Sequence, residues 1–123
     1  MKASRKYVLS ALFAAAGMTG YTAASAHATL KSATPAQDAE VATAPKEIAL
    51  RFNEKLEAAF SNARLVDSNG KEVSTAKASL DAADPSVMKL AVPALAAGKY
   101  KVHYVGVGHD GHRRKGEYAF TVK

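Results

Sequence analysis

The stretch LAAGKYKVHY, residues 95–104, decides the reading of the fold. After Gly98 the residues alternate: Tyr100, Val102 and Tyr104 leave one side of an extended chain, and Lys99, Lys101 and His103 leave the other. Successive side chains of a strand point to opposite faces, so this pattern marks a half-buried strand with a cationic outer face. Tyr100 stands two residues after a glycine corner, the placing of a tyrosine-corner anchor whose ring packs inward while its hydroxyl bonds nearby backbone.

The rest of the chain follows the same rhythm. Strands are predicted over 28–32, 47–52, 62–66, 72–76, 87–92, 99–107 and 117–122. VDSNGKEV, residues 66–73, sets Asn69-Gly70 between two of them, and a hairpin is expected there because both residues accept positive φ. EKLEAAF, residues 54–60, has room for one helical turn. Seven short strands with turn residues at close intervals imply an all-β domain, a Greek-key sandwich or barrel of immunoglobulin-like or cupredoxin-like type.

Ahead of this domain stands a tripartite secretory signal: basic Lys2, Arg5 and Lys6, a 12-residue apolar run over 7–18, and Ala24-Ser25-Ala26. The run is shorter than the roughly 20 residues a membrane-spanning helix needs. Residues 1–26 are therefore expected to be removed, leaving 27–123 as one exported domain without a membrane-inserted segment. Three basic residues and no acidic ones leave with the signal, so fourteen basic side chains face eleven acidic ones, a charge of +3. No basic stripe interleaved with aromatics supports nucleic-acid binding, and Arg113-Arg114-Lys115 reads as a solvated loop. Cysteine is absent, which excludes disulfides, thiolate metal sites and cysteine nucleophiles. Any metal must be held by nitrogen and oxygen.

Cleavage after Ala26 would make His27 the first residue, with an α-amine and an imidazole able to close a chelate ring on one ion. The amine's ordinary pKa, about 7.7–8.0, lets it deprotonate near neutral pH when a metal competes for it. Near the other end, Asp110 and His112 flank Gly111 and would share one face of an extended segment. Asp-Gly is also a common turn dipeptide, so the pair gains weight only beside an amino-terminal histidine. His27, Asp110 and His112 together supply four nitrogen and oxygen donors, suited to tetragonal Cu(II). Zn(II) is the competitor. His109 alternates away from the pair and reads as an exposed loop histidine or an alternative ligand. His103 reads as a surface residue, and Glu54 either caps the following turn or lies near the site.

In order and spacing, the blocks HATLKSATPA, APKEIALRFNEKLEAAFSNARLV, LAAGKYKVHY, DGH and GEYAFTVK resemble the CopC family of periplasmic copper-binding proteins over nearly the whole mature chain. The resemblance implies a Greek-key β fold and a Cu(II) site of His27, Asp110 and His112, with Glu54 of the Phe-x-Glu segment nearby. It also implies a role in copper resistance or homeostasis, as a monomer that passes copper to a CopD-type inner-membrane transporter. Two departures stand out. The methionine-rich Cu(I) segment of many members corresponds here to residues 65–90, where Met88 is the sole methionine, so a Cu(II)-only variant is expected. Arg113 replaces a proline frequent in the family and sets three cations beside the site.

An amino-terminal histidine chelating copper beside a second histidine is also the arrangement of oxidative polysaccharide monooxygenases. That enzymatic reading is disfavoured: the chain has no tryptophan for a substrate surface, and Asp110 would fill a position that oxygen activation keeps open. A metal-free adhesion or assembly module is the third alternative.

Overall fold

The computed structural model describes residues 28–123; the signal-like segment and His27 lie outside the described residues. Eight strands follow in chain order: β1 Leu30–Thr34, β2 Glu40–Val41, β3 Glu47–Phe52, β4 Asn62–Val66, β5 Ser79–Leu80, β6 Val87–Ala91, β7 Gly98–Val107 and β8 Arg113–Val122. They form two four-stranded sheets, ordered β1-β3-β6-β5 and β2-β8-β7-β4. All pairs are antiparallel except β2 with β8. Only β5–β6 and β7–β8 join consecutive strands of one sheet; every other connection crosses the sandwich. Among the described residues no helix is long and apolar enough to cross a membrane.

Alternation puts the core between the sheets. Ile48, Leu50 and Phe52 of β3 face inward and meet Leu90 and Met88 of β6 across the register pairs Ile48↔Leu90 and Leu50↔Met88. From the other sheet come Tyr100 and Val102, paired with Phe120 and Tyr118. Tyr100 stacks on Phe120 with centroids 5.8 Å apart, and Phe52 meets Tyr104 edge-to-face at 5.7 Å across the sandwich. Such aromatic pairs add about 0.5–1.5 kcal/mol beyond area burial. The tyrosine corner is present: Tyr100 donates its hydroxyl to the Ala96 carbonyl at 2.7 Å. Met88 is 1% exposed, a core residue.

Four local expectations change. The predicted strand over 72–76 reduces to an isolated bridge, Val66↔Glu72. Its pairing stops because the Leu65 N–H donates to the Ser74 hydroxyl at 3.0 Å, a side-chain acceptor taking the place of a ladder carbonyl. The hairpin at 69–70 is a three-residue loop, not a two-residue one. Gly70 alone of the pair has positive φ, and Asp67 Oδ1 accepts from the Asn69 and Lys71 N–H groups at 2.9 and 3.0 Å. β8 starts at Arg113, four residues earlier than hydrophobic patterning shows, since backbone pairing with β7 runs on to Val107↔Arg113. The strand count rises from seven to eight because β2 and β5, two residues each, are too short to carry a period. The helical turn is a single one, with the Phe60 and Ser61 N–H groups donating to the Glu57 carbonyl.

The β7–β8 connection, residues 108–112, is also a turn. The Gly111 N–H donates to the Gly108 carbonyl at 3.0 Å, and Gly111 sits at φ 77°.

Two stability predictions follow from these contacts. Tyr100→Phe loses the corner bond and is expected to cost about 1 kcal/mol in urea unfolding, with unchanged secondary structure by circular dichroism. A Cβ on Gly111 would meet no atom within 4 Å. Gly111→Ala therefore tests backbone strain alone and should cost about 1–2 kcal/mol; a neutral result would contradict the left-handed turn.

Candidate metal centre

The 108–112 turn gathers two of the predicted ligands. Asp110 Oδ1 accepts the His112 N–H at 3.0 Å, and Asp110 Oδ2 lies 3.0 Å from His112 Nδ1. One carboxylate thus holds both the backbone and the ring of His112. An ionised carboxylate only accepts, so the contact places a proton on Nδ1 and, in the neutral ring, leaves the lone pair on Nε2. This is the arrangement in which a carboxylate orients a metal-binding histidine and raises its basicity. The expected route to convergence is corrected here: a left-handed turn at Gly111, rather than extended alternation, brings Asp110 and His112 together. The His112 side chain is 61% exposed and that of Asp110 25%, so the pair lies at the surface with the carboxylate on the inner side.

A second segment packs under this turn. β3 ends at Phe52, and the chain then runs through Asn53 and Glu54 to Leu56, which bridges Gly108. Below Leu56 the seam is laced to the end of β7: the Glu57 N–H donates to the Val107 carbonyl at 2.7 Å, and the Val107 N–H donates to Ser61 Oγ at 3.0 Å. The Glu54 carboxylate lies directly on Gly108, where any Cβ would overlap it. Its Oε1 is buried with no hydrogen-bond partner among the described residues. Glu54 therefore does not cap the 57–60 turn; it sits beneath the loop that carries Asp110 and His112. A buried carboxylate oxygen without a donor is costly unless a cation or donor reaches it.

The start of the described chain reaches the same end of the sandwich. Ala28 is fully buried, the Thr29 N–H donates to Asn53 Oδ1 at 2.7 Å, and the Asn53 N–H donates back to the Thr29 carbonyl at 3.0 Å. Asn53, unremarked in the sequence, ties the residue after Ala28 to the segment bearing Glu54. His27 itself lies outside the described residues. Among the described residues no group of three or more histidine, aspartate or glutamate side chains comes together as a metal site.

The remaining histidines are engaged elsewhere. His109 Nδ1 lies 2.7 Å from Glu57 Oε1, and a cleft of about 400 Å³ there is bordered by the exposed Phe60 and by Arg113. His103 is half-buried and lies 3.2 Å from Glu117 Oε2 on the outer face of the sheet. Along the β7–β8 ladder, burial pushes the Tyr104 phenol above its usual range, with Arg114 opposing, and burial next to Tyr104 pushes Tyr118 well above it.

The CopC domain family model matches residues 30–123. The copper resistance protein C of Pseudomonas syringae pv. tomato is 40% identical over 116 residues, covering 89% of this chain and 90% of that protein. Among solved structures, CopC from Methylosinus trichosporium OB3b superposes with a TM-score of 0.75 at 38% identity, over 79% of this chain and 94% of its own. PcoC of Escherichia coli, described as a methionine-rich copper resistance protein, gives a TM-score of 0.71 at 38% identity, over 80% of this chain and all of its own. With a two-sheet sandwich, the aspartate-gripped histidine at its end and near-complete coverage by these relatives, the chain belongs to the CopC family.

Proposed function

We propose that this protein binds one Cu(II) ion in the periplasm, through the α-amine and imidazole of His27 with His112 and Asp110, and sequesters it or carries it to an inner-membrane copper transporter. The observation that carries this reading is the Asp110–His112 grip, 3.0 Å at both contacts, set above the partnerless carboxylate oxygen of Glu54. Residue 27 is bonded to Ala28, whose neighbour Thr29 is tied to Asn53, one residue from Glu54. Cleavage after Ala26 would thus free an amino terminus next to the Ala28–Thr29 segment that Asn53 ties to the stretch bearing Glu54.

The donor chemistry fits Cu(II) better than Cu(I). Cysteine is absent, and the thioether of Met88 is buried between the sheets, so the described residues offer no soft donor at the surface. In this respect the chain differs from the methionine-rich PcoC. The exposed His112 ring suits a carrier, because a recipient can approach and replace ligands one at a time. Asp110 fills a role on either side of the metal shell: as a ligand through an oxygen, or as the group that orients the His112 ring.

The test is Cu(II) titration with electron paramagnetic resonance on protein recovered from the periplasm, its amino terminus verified by mass spectrometry. One-to-one nitrogen-rich binding is expected, lost when a single residue precedes His27. His112→Ala should weaken binding most. Asp110→Ala should weaken it by about 10–100-fold, the range for losing a group that orients a ligand. At a hundredfold excess over Kd, Cu(II) should raise stability by about 2.7 kcal/mol, with Zn(II) a weaker competitor. Equal binding by the extended protein would remove His27 from the site, and unchanged titrations in both variants would remove the Asp-Gly-His turn.

A further inference from the structure

Strand alternation sorts the charges of the β2-β8-β7-β4 sheet. Tyr100 and Val102 of β7 and Tyr118, Phe120 and Val122 of β8 face the core, so their odd-numbered neighbours face solvent. That outer face carries Arg64 of β4, Lys99 and Lys101 of β7, and Arg113 and Lys115 of β8, all exposed. The acids among them are Glu117, whose carboxylate is held by Lys101 at 3.6 Å and by His103 at 3.2 Å, and Glu40 of β2, which is in register with Thr121 and lies 3.4 Å from Lys123. Five strand cations against two anions give this face +3. Residues 28–123 as a whole carry fourteen basic and eleven acidic side chains. The outer side of the other sheet carries three cations, Lys31, Arg51 and Lys89, with Glu47 on the same face and Arg51 bound to Asp84 at 3.0 Å.

The face is also shaped. Two adjoining depressions of about 250 and 410 Å³ share Arg64 and His103 as walls; Lys115 borders the first, and Lys99, Lys101 and the acid Asp67 the second. The large hydrophobic side chain exposed among the described residues, Phe60 at 66%, borders the cleft by the 108–112 turn with Arg113, at the end of this face and not along it.

We propose that this outer face docks on an anionic phospholipid surface, its arginine and lysine side chains meeting headgroup phosphates. An acidic protein partner is the other occupant such charge could attract. Protein interfaces draw most of their energy from a few tryptophan, tyrosine and arginine anchors clustered at a desolvated centre, and the cations of this face are spread along its strands with no exposed aromatic side chain among them. Cations spread along strands on long flexible stems match laterally mobile phosphates, and each contributes roughly a fivefold factor to membrane partition. β8 begins at the 108–112 turn, so docking through Arg113 and Lys115 brings that end of the sandwich close to the lipid surface. The proposal does not depend on the metal reading and is tested on metal-free protein.

The experiment is co-sedimentation with vesicles of phosphatidylcholine, with and without phosphatidylglycerol, at low and high salt. Binding is expected only to the phosphatidylglycerol vesicles and only at low salt. The variant Lys99→Gln/Lys101→Gln/Lys115→Gln should lose about a hundredfold in partition. A control of equal net charge on the opposite sheet, Lys31→Gln/Lys46→Gln/Lys89→Gln, should lose far less. Circular dichroism and thermal unfolding check that both fold. Should the first variant fail to fold, Lys99→Gln/Lys101→Gln carries the same comparison at about 25-fold. Absence of phosphatidylglycerol-dependent binding, or equal losses in the two variants, would overturn the proposal. Binding to soluble polyglutamate but not to vesicles would overturn it in favour of an acidic protein partner.

Discussion

The pairing of β7 with β8 is the constraint on which the rest of the molecule depends. Ten registered pairs run from Gly98↔Val122 to Val107↔Arg113. Because side chains alternate with period two, a slip of one residue would turn Tyr100, Val102, Tyr118 and Phe120 to solvent and bury the lysines. The buried pairs lock the register, and the locked register fixes where the hairpin closes. It closes over 108–112, so the core at one end of the ladder determines which residues form the turn at the other. Asp110 and His112 are thus presented by a rigid scaffold, with the 53–61 segment bonded beneath them as a floor.

Much of this architecture was legible because the signals were local. The strands over 47–52 and 62–66 are found as predicted, since Ile48, Leu50 and Phe52, and Ala63 and Leu65, recur at every second position. The tyrosine corner was readable from Gly98 and Tyr100 alone. What escaped lies in contacts that no window of sequence contains. Ser74 ends a ladder by accepting from Leu65, nine residues away, and a serine in a polar segment gives no warning of that. Arg113 to Lys115 look like a solvated loop by composition, yet their backbone completes the sheet, because pairing needs only a partner strand long enough to reach them.

The candidate site divides in the same way. An Asp-x-His spacing pointed to Asp110 and His112, but its logic assumed an extended segment, whereas the positive φ at Gly111 turns the chain and lets one carboxylate grip both backbone and ring. Glu54 was marked by resemblance and otherwise read as a cap or a neighbour. Its burial against Gly108 depends on a glycine 54 positions later having no side chain, a relation only the folded chain displays. Asn53 carried no signal, although it ties Thr29 to the segment that floors the turn.

A binding site for a cation at the end of a basic face looks self-defeating, and the scales of the two interactions resolve it. The repulsion between Arg113 or Lys115 and an arriving ion acts through water and is screened over about 8–10 Å at physiological salt. Metal coordination acts at bonding distance and requires donors already oriented, which the Asp110 grip on His112 supplies. The cations would therefore slow or weaken capture of the proposed ion modestly without displacing the donors. The same long-range field would draw in anionic surfaces, for which no short-range coordination is needed. On both proposals the chain would use two ranges of electrostatics at neighbouring places: directed donors within the 108–112 turn, and undirected charge along the strands that hold that turn in register.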